Sequence, residues 1–364
     1  MDCPYIPDIT YSQFGESLRN KIPGNRIPIY GSLELTFRCN LRCQHCYVSH
    51  GHNGIPGQQE LSISEIQRII DEVVDAGCLW FLITGGEPLV RRDFLDIYAY
   101  AKRKGLIVNL FTNGTLITPR IADYMAEWPP FRVEITLYGA TQETYERVTG
   151  IPGSYARCMR GIELLLERGL KLNLKTMLMT LNQHEIQDMR AFADSMGVSF
   201  RYDAMLNAGL DGDGRPTSFR IPPQEVVQLD LQDQGTAEEW RSFIQRTKGY
   251  QYPGDNLYVC GAGRRTFHID PYGKLCLCMM VRYASYDLRS GSFEEGWGQF
   301  LHQIRSQKIE GNDICSQCEL KLLCGQCPGW SYLEHGETQK PVDYLCQVAH
   351  LRYESLYESL EVLE

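Results

Sequence analysis

Short apolar runs recur along the first 204 residues and alternate with longer stretches in which apolar positions follow the helical period. This alternation predicts parallel strands joined by right-handed helical crossovers. The fold is therefore expected to be α/β, either a partial TIM-like (β/α)6 barrel or an open parallel sheet. The six predicted strands are Leu33–Phe37, Leu79–Thr84, Ile107–Thr112, Val133–Leu137, Leu172–Met179 and Val198–Asp203.

The helices between these strands carry start and stop signals. Ser62 and Glu65 have the spacing of a capping box, and Gly77 follows the helical repeat as a stop. In both candidate architectures ligands bind at the carboxyl ends of the strands, where the connecting loops gather. We therefore expect three loops to meet at one mouth, at residues 39–46, 84–88 and 112–114.

The rest of the chain differs in composition from this alternating region. The first 30 residues are rich in Pro, Gly and polar residues, which predicts an irregular arm. A long loop is predicted over 207–223, followed by a polar helical stretch. The predicted segments are an arm (1–30), an α/β core (31–230), a helical bridge (231–256) and a cysteine-rich domain (257–364) ending in an amphipathic helix (347–363).

Charge and cysteine content narrow the possible functions. The net charge of −9, without a basic stripe, disfavours a nucleic-acid partner. No apolar run approaches the ~20 residues that span a bilayer, and the N-terminus lacks the pattern of a signal peptide, so neither a membrane partner nor secretion is expected. We expect a cytoplasmic protein, in which 14 cysteines favour metal ligation over disulfides.

Three cysteines follow the first predicted strand. Cys39, Cys43 and Cys46 lie in the run FRCNLRCQHCY, with gaps of three and two residues. Structural zinc sites usually take four ligands in paired knuckles, and His45 could complete such a site only from a strained position between two ligands. Three thiolates on a four-iron cluster leave one iron free to bind a small molecule.

This spacing, followed by the aromatic residue Tyr47, resembles the signature of radical S-adenosylmethionine (SAM) enzymes. The resemblance implies that Cys39, Cys43 and Cys46 hold a [4Fe–4S] cluster whose open iron chelates the amino and carboxylate groups of SAM. Electron transfer then cleaves the sulfonium to a 5′-deoxyadenosyl radical, which abstracts hydrogen from a substrate. A flavodoxin- or ferredoxin-type protein is the implied electron donor.

Other segments match positions at which this family contacts SAM. Gly85, Gly86, Glu87 and Pro88 resemble the motif that binds the methionine ammonium, and a carboxylate at that place would form a charge-assisted bond. Many members have Asp where this chain has Tyr138, so the local hydrogen bonds are expected to differ. Further candidate cofactor contacts are Thr136, Ser154, Lys175 and Asn182, and a simple helix cap is the alternative role of Ser154.

A second group of cysteines lies near the C-terminus, at Cys260, Cys276, Cys278, Cys315, Cys318, Cys324, Cys327 and Cys346. These are enough for two further clusters of about four ligands each. Zinc knuckles are the alternative, since the pairs at 315/318 and 324/327 have knuckle spacing. The five residues between the pairs are fewer than the ~15–20 of an ordinary zinc ribbon.

Together with the first motif, this field resembles the SPASM domain, a small α+β extension that carries two auxiliary [4Fe–4S] clusters. The resemblance assigns Cys315, Cys318, Cys324 and Cys346 to the outer cluster, and Cys260, Cys278 and Cys327 to the inner one. The fourth inner ligand is left open between Cys276 and an open iron site, because Thr266 stands where related maturases often have a cysteine.

SPASM-type enzymes act mostly on residues within peptides. The resemblance thus implies a maturase of ribosomal peptides that crosslinks, oxidises, decarboxylates or epimerises its substrate. The arm before the first strand is too short for a fused leader-recognition domain, so a separate recognition protein is a possible partner. Tyr202 and Asp203, at the end of the sixth strand, are candidate catalytic residues, with substrate contact and simple capping both open.

Three alternatives are kept. The first is formylglycine formation as in sulfatase maturases, against which Tyr138 and the short gap between Cys324 and Cys327 weigh. The second is a small-molecule radical SAM enzyme of cofactor biosynthesis. The third is a non-enzymatic iron–sulfur or zinc protein, which would have no use for the ammonium-binding loop at 85–88.

Overall fold

The computed structural model describes residues 11–21, 26–48, 55–247, 249, 255–311 and 314–361. The strands of this part of the chain are β1 (Tyr30–Glu34), β2 (Trp80–Thr84), β3 (Ile107–Thr112), β4 (Arg132–Thr136), β5 (Leu172–Met177), β6 (Ser199–Asp203), β7 (Thr266–Ile269), β8 (Lys274–Cys276) and β9 (Tyr286–Asp287).

The helices begin with α1 (Tyr11–Lys21), α2 (Ile63–Asp75), α3 (Phe94–Arg103), α4 (Pro119–Glu127), α5 (Gln142–Thr149), α6 (Ser154–Leu166) and α7 (Ile186–Ser195). They continue with α8 (Pro223–Gln232), α9 (Gln234–Thr247), α10 (Phe293–Glu295), α11 (Leu301–Arg305), α12 (Lys321–Cys324), α13 (Pro328–His335) and α14 (Asp343–Glu361). None of the described helices is both long and apolar enough to cross a membrane.

The described strands form one sheet in the order β6-β5-β4-β3-β2-β1-β7-β8-β9. Strands β1 to β6 pair consecutively and in parallel. Because each strand lies beside the preceding one, right-handed crossovers place all their helices on the same face. A sheet covered on one face curls with its helices outside, so the order selects the predicted partial barrel over an open doubly wound sheet.

The main core lies between the outer face of the sheet and the helices. The capping box predicted for α2 is present, with Glu65 N–H donating to Ser62 Oγ (3.3 Å) and Ser62 N–H donating to the Glu65 carboxylate (2.7 Å). Behind it Ile66, Ile69 and Ile70 are buried. Burying each such side chain contributes roughly 1.5–3 kcal/mol. This cap and apolar face together fix the orientation of α2.

The cysteine-rich region is joined to the core through the backbone. Strand β7 pairs in parallel with β1, starting at Tyr30 and Thr266, and β8 and β9 extend the sheet as antiparallel strands. A second buried cluster contains Leu345 and Ala349 of helix α14, the preceding Val342, and residues of α9 and α12. The cysteine-rich region therefore continues the sheet of the barrel.

The N-terminal arm differs from the sequence prediction. Residues Tyr11–Lys21 form helix α1, whereas an irregular segment was expected. The ring of Phe14 lies 6.1 Å from that of Trp80, which in turn stacks on Tyr30 at 4.9 Å. The contact to β2 supplies a tertiary reason for helix formation that Pro and Gly content does not reveal. The remainder of the arm, 1–10 and 22–25, lies outside the described residues.

The first strand also begins earlier than predicted. Strand β1 ends at Glu34, so Leu35, Thr36 and Phe37 lie beyond it. Leu35 N–H still donates to Thr84 O (2.9 Å), but Thr36 O accepts from the N–H of Gly86 (2.7 Å), in the loop after β2. The apolar run therefore continues past the strand because it packs against a neighbouring loop.

We predict that Gly161→Ala destabilises the protein, although alanine is the better helix former by about 1 kcal/mol. A Cβ at Gly161, in α6, would fall well inside van der Waals contact of the Gly114 carbonyl oxygen and 3.4 Å from Ile117 Cβ. Overpacking of this kind should lower the free energy of unfolding by about 2 kcal/mol in urea denaturation. Gly298→Ala, where a Cβ has no neighbour within 4 Å, is the control and should cause no loss.

Candidate active site

The cysteine loop is held against the loop after β2 by direct backbone contact. Gly86 N–H donates to Thr36 O (2.7 Å), and Glu87 N–H donates to Arg38 O (3.0 Å). Gly85 has φ +149°, and a Cβ on it would lie 2.5 Å from Thr36 O, while one on Gly86 would lie 2.6 Å from Arg38 O. Both glycines are therefore required for the two loops to meet.

The three cysteines of this loop are close enough to influence one another electrostatically. Burial is the main cause that raises the pKa of Cys39 to about 12, with Glu87 and Cys46 adding to it, and burial also raises the pKa of Cys43 and Cys46. Buried thiolates of this kind need a compensating positive charge, and iron supplies one. The donor set thus fits an iron–sulfur cluster.

The described side chains include no ready site for a single metal ion. Among the described residues, no three His, Cys, Asp or Glu side chains converge tightly enough to bind one metal ion. A four-iron cluster binds each thiolate through a different iron atom and so accepts wider spacing. His45, the alternative zinc ligand, lies edge-on to the ring of Tyr138 at 5.2 Å, and burial lowers its pKa to about 4.

Two side chains donate hydrogen bonds to these thiols. The amide of Asn113, in the loop after β3, lies 3.8 Å from Cys39 Sγ and also donates to Asn40 Oδ1 (3.0 Å). The Tyr138 hydroxyl, at the end of β4, hydrogen-bonds Cys43. Asn113 was not among the predicted site residues. Its position in the loop at 112–114, predicted to reach the mouth, was the available signal.

Glu87 is fully buried and joins the loops after β2 and β3. Its carboxylate accepts from Thr112 Oγ1 (2.8 Å), Asn113 N–H (2.7 Å) and Leu89 N–H (3.1 Å). Burial raises the pKa of Glu87 to about 7, and these bonds act in the opposite direction. Pro88 is buried and opens the following turn. The predicted contact with an ammonium group would add a fourth donor to this carboxylate.

Tyr47 and Thr136 are positioned by different strands of the sheet. The Tyr47 hydroxyl donates to Glu34 Oε1 (3.2 Å) at the end of β1. Thr136 is the last residue of β4 and pairs with Lys175 of β5. Ser154 is buried at the start of α6, where its hydroxyl lies 2.7 Å from that of Thr149, and Gly153 is the N-cap. Ser154 is therefore not the helix cap.

Asn182 is buried and its side-chain amide is used within the protein. Its Nδ2 donates to Tyr138 O (3.2 Å) and Met177 O (3.1 Å), and its Oδ1 accepts from Met179 N–H (2.9 Å). It thereby ties the ends of β4 and β5 together.

Lys175 lies on the inner face of the sheet. Its ammonium is 3.1 Å from the centroid of the Phe111 ring and 3.4 Å from Glu134 Oε2. The same oxygen accepts from Arg201 Nη2 at 2.6 Å. Burial, the largest effect, lowers the pKa of Lys175 to about 8, with Glu134 opposing it. Two cations therefore share one carboxylate oxygen here.

The candidate catalytic pair does not share one face. Neighbouring residues of a strand point to opposite sides, and Tyr202 packs against the outer core, away from the barrel interior. Its predicted place near the mouth is therefore wrong. Asp203 lies on the inner side and accepts from Met205 N–H (2.8 Å), and burial raises its pKa.

The C-terminal cysteines form two groups. Cys260, Cys278 and Cys327 interact electrostatically and line a cavity of about 210 Å³, which Cys315 also reaches. The outer group consists of Cys315, Cys318, Cys324 and Cys346, linked by mutual electrostatic effects. Cys276 does not line the cavity; it is fully buried, and its Sγ lies 3.7 Å from Lys274 O.

A buried charge cluster connects the two cysteine fields. Glu34 Oε2 accepts from Arg282 Nη2 (2.8 Å) and lies 3.3 Å from His268 Nε2. Burial opposes ionisation of Glu34, but Arg282 and His268 together lower its pKa to about 2. Glu34 also accepts from Tyr47, next to Cys46, whereas Arg282 follows Cys278 by four residues.

Comparisons with known proteins agree with this geometry. The sequence model of the radical SAM superfamily matches residues 33–195. The mycofactocin maturase MftC of Mycobacterium ulcerans is 32% identical over 304 residues, covering 80% of this chain and 80% of that protein. The AdoMet-dependent heme synthase of Methanosarcina barkeri is 26% identical over 328 residues, covering 84% of this chain and 92% of that protein.

The fold is also that of a solved structure. Streptococcus suis SuiB bound to its precursor peptide SuiA superposes with a TM-score of 0.70 at 15% identity, covering 95% of this chain and 84% of SuiB. A partial barrel with coupled thiols at its mouth is the arrangement of an enzyme that uses SAM and an iron–sulfur cluster. The chain belongs to the radical SAM superfamily.

Its cysteine-rich extension is of the SPASM type. The predicted family, fold and enzymatic nature are thus confirmed. The predicted cofactors, SAM with a [4Fe–4S] cluster and auxiliary clusters, are confirmed as well.

We predict a pH-dependent effect of Glu87→Gln on stability. Because burial raises the pKa of Glu87 to about 7 in the folded chain, the folded state binds more protons than the unfolded state between about pH 4.5 and 7. Ionisation should therefore remove up to about 3 kcal/mol of stability as the pH rises through this window. In Glu87→Gln this decrease in stability with rising pH should be absent.

The measurement is urea denaturation of the metal-free protein at several pH values. Any pH-independent cost of the amide shifts both ends of the curve equally, so the difference in slope between Glu87→Gln and the unsubstituted chain reports Glu87. Glu163→Gln, an exposed control in α6, should retain the slope of the unsubstituted chain. Parallel slopes for Glu87→Gln and the unsubstituted chain would contradict the prediction.

Proposed function

We propose that this radical SAM enzyme is a maturase of a ribosomally made peptide. The observation that carries the proposal is the pair of cysteine groups in the C-terminal region, which strands β7 to β9 attach to the barrel sheet. The similarity to MftC, named a maturase, and to SuiB, solved with a precursor peptide, supports the same class of substrate. A cytoplasmic location is part of the proposal, because reduced thiols are needed for cluster assembly.

The ligand sets of this proposal follow the grouping of the thiols. We assign Cys39, Cys43 and Cys46 to the cluster that binds SAM. The outer auxiliary cluster takes Cys315, Cys318, Cys324 and Cys346, and the inner one takes Cys260, Cys278 and Cys327. Cys276 is left out, because its sulfur lies outside the cavity that the other inner cysteines line. When bound, the first cluster and SAM supply the radical that abstracts hydrogen from the substrate.

The chain's own residues position and enclose this chemistry. Gly85 and Gly86 hold the cofactor loop against the cysteine loop, and Glu87 places negative charge beside it. Thr136 and Lys175 line the inner face where the cofactor and substrate would meet. The outer helices and core separate this face from solvent on the other side of the sheet. These groups therefore orient the reactants; none of them is assigned as acid or base.

Two protein partners belong to the proposal. A flavodoxin- or ferredoxin-type protein would deliver the electron to the first cluster. A separate leader-recognition protein would present the precursor peptide. Neither affects the choice of ligands above.

A second candidate is a small-molecule enzyme of cofactor biosynthesis. The similarity to the AdoMet-dependent heme synthase extends over 92% of that protein, and this observation favours the alternative. The barrel and clusters would serve either substrate class. The peptide maturase and the small-molecule enzyme are distinguished by the molecule that each one modifies.

Anaerobic reconstitution tests the ligand sets. Three cubane clusters give about twelve irons per chain, and Cys39→Ala/Cys43→Ala/Cys46→Ala should lose about four of them together with all SAM cleavage. Cys278→Ala should lower the iron content of the auxiliary clusters, whereas its matched control Cys276→Ala should retain about twelve irons. Loss of iron in Cys276→Ala, measured with EPR of each cluster, would return Cys276 to the inner set.

Coexpression tests the substrate class. Small peptides encoded beside the gene, expressed with the enzyme, should change in mass or stereochemistry: a loss of two hydrogens indicates crosslinking or oxidation, and a loss of carbon dioxide indicates decarboxylation. The variant lacking Cys39, Cys43 and Cys46 is the control. Unchanged peptides combined with enzyme-dependent change of a small molecule in the same extract would replace the proposal with the second candidate.

A further inference from the structure

Arg282 is a half-buried cation on the inner side of the barrel, with a side chain that is 14% exposed and neighbours from three segments. Its Nε donates to Met279 O (2.7 Å), and its Nη2 donates to Glu34 Oε2 (2.8 Å) and lies 3.1 Å from His268 Nε2. The guanidinium carbon lies 5.5 Å from the centroid of the Phe37 ring. Such contacts fix the plane of the guanidinium group and leave little freedom to its side chain.

The remaining nitrogen of this guanidinium is unsatisfied. Arg282 Nη1 is buried and has no hydrogen-bond acceptor among the described residues. Leaving a buried donor of a charged group without an acceptor is costly, so native structures rarely keep one without a reason. His268 does not supply the missing acceptor, because its Nδ1 lies 2.8 Å from Ser32 Oγ and its Nε2 is occupied by Glu34 and Arg282.

Arg282 lies between the segments that carry the two cysteine fields. On one side, Glu34 and Tyr47 connect it to the loop that ends at Cys46. On the other side, Cys278 precedes it in the segment that lines the inner auxiliary cavity. A molecule between the two cysteine fields on the inner face therefore passes this guanidinium.

The opposite part of the inner face also carries cations, and two of them, Lys175 and Arg201, share one carboxylate. Glu134 Oε2 accepts from both Lys175 and Arg201. Arg201 lies on β6, the last strand of the sheet, and its side chain is 59% exposed. Negative charge entering through this open edge thus meets Arg201 before it reaches Arg282. Asp203, on the same strand, partly offsets this attraction.

We propose that Arg282 binds a carboxylate of the substrate, with Nη1 as the donor that the folded chain leaves unused. The carboxylate is either an acidic side chain of the peptide or its free C-terminus, since both present the same planar acceptor pair to arginine. Glu34 and His268 hold the guanidinium in place, and Arg282 determines which residue of the peptide lies between the two cysteine fields. This inference rests on the proposed peptide substrate.

A double-mutant cycle between enzyme and peptide tests the assignment. The reconstituted enzyme with SAM is titrated with the precursor peptide and with versions in which the C-terminus is amidated or one Asp or Glu is changed to its amide. One of these versions should bind the unsubstituted enzyme about 10- to 100-fold more weakly. Arg282→Gln should weaken binding of the acidic peptide by a similar factor. It should leave the affinity for that amide version unchanged.

Controls separate binding from folding. Removing Arg282 leaves Glu34 buried without its cation, so Glu34→Gln/Arg282→Gln is measured beside Arg282→Gln, and Glu34→Gln alone retains the arginine. All variants are compared for iron content and for SAM cleavage without peptide. Arg282→Lys should recover part of the affinity for the acidic peptide, because it restores charge without the planar fork. The assignment would be overturned if the enzyme and peptide changes had additive effects on the binding free energy. It would also be overturned if the unsubstituted enzyme bound all amide versions as tightly as the acidic peptide.

Failure of the proposed function has a different outcome. If no peptide binds, the same cycle is run with succinate and its neutral diamide, read as the shift in melting temperature of the reconstituted enzyme. The carboxylate site would stand, and the peptide would be rejected, if succinate but not the diamide raised the melting temperature. This shift should disappear in Glu34→Gln/Arg282→Gln and persist in Glu34→Gln. Equal shifts in these three proteins would reject the site itself.

Discussion

The close approach of two backbone segments is the constraint on which the active site depends. The chain at Gly85 and Gly86 lies against Thr36 and Arg38 with no room for a Cβ atom between them. This contact determines where the cysteine loop leaves the sheet. It also brings Glu87 into position to bond the loop after β3, so three separate loops become one rigid unit.

The order of the strands explains why this unit faces a polar interior. Consecutive parallel strands put the helices on one side, where the apolar residues of each strand point, and leave the alternate positions facing inward. Glu34, Glu134 and Lys175 occupy such positions; Lys175 pairs with Glu134, and Arg282 pairs with Glu34. The inner face is thus both charged and preorganised, as a site for a polar reaction partner must be.

Much of this could be predicted from the sequence because the signals are local. Strand β3 has its predicted bounds, and the caps of α2 agree with the sequence, since both depend on residues a few positions apart. The three-cysteine motif identified the family for the same reason. The family resemblance also supplied the grouping of the C-terminal thiols.

Contacts between residues far apart in the sequence limit what could be predicted from it. Helix α1 depends on Phe14 meeting Trp80, and the first strand ends early because Thr36 pairs with the loop at Gly86. Nothing near Arg282 in the sequence indicates that Glu34, 248 positions away, is its partner. Asn113 likewise lies near Cys39 only once the barrel has formed. Such contacts require the assembled fold before they can be identified.

The pairing of β1 with β7 has a consequence for how the protein is made. Tyr30 and Thr266 are neighbours in the sheet but are synthesised far apart, and at bacterial and eukaryotic rates the ribosome needs about 10–50 s to cover the interval. During that time one edge of β1 is open, next to the loop that receives the first cluster. An exposed strand edge invites pairing with other chains, so the nascent barrel is most vulnerable to aggregation just before its cysteine-rich domain emerges. Production of the enzyme thus depends on the timing of translation as well as on its supply of iron.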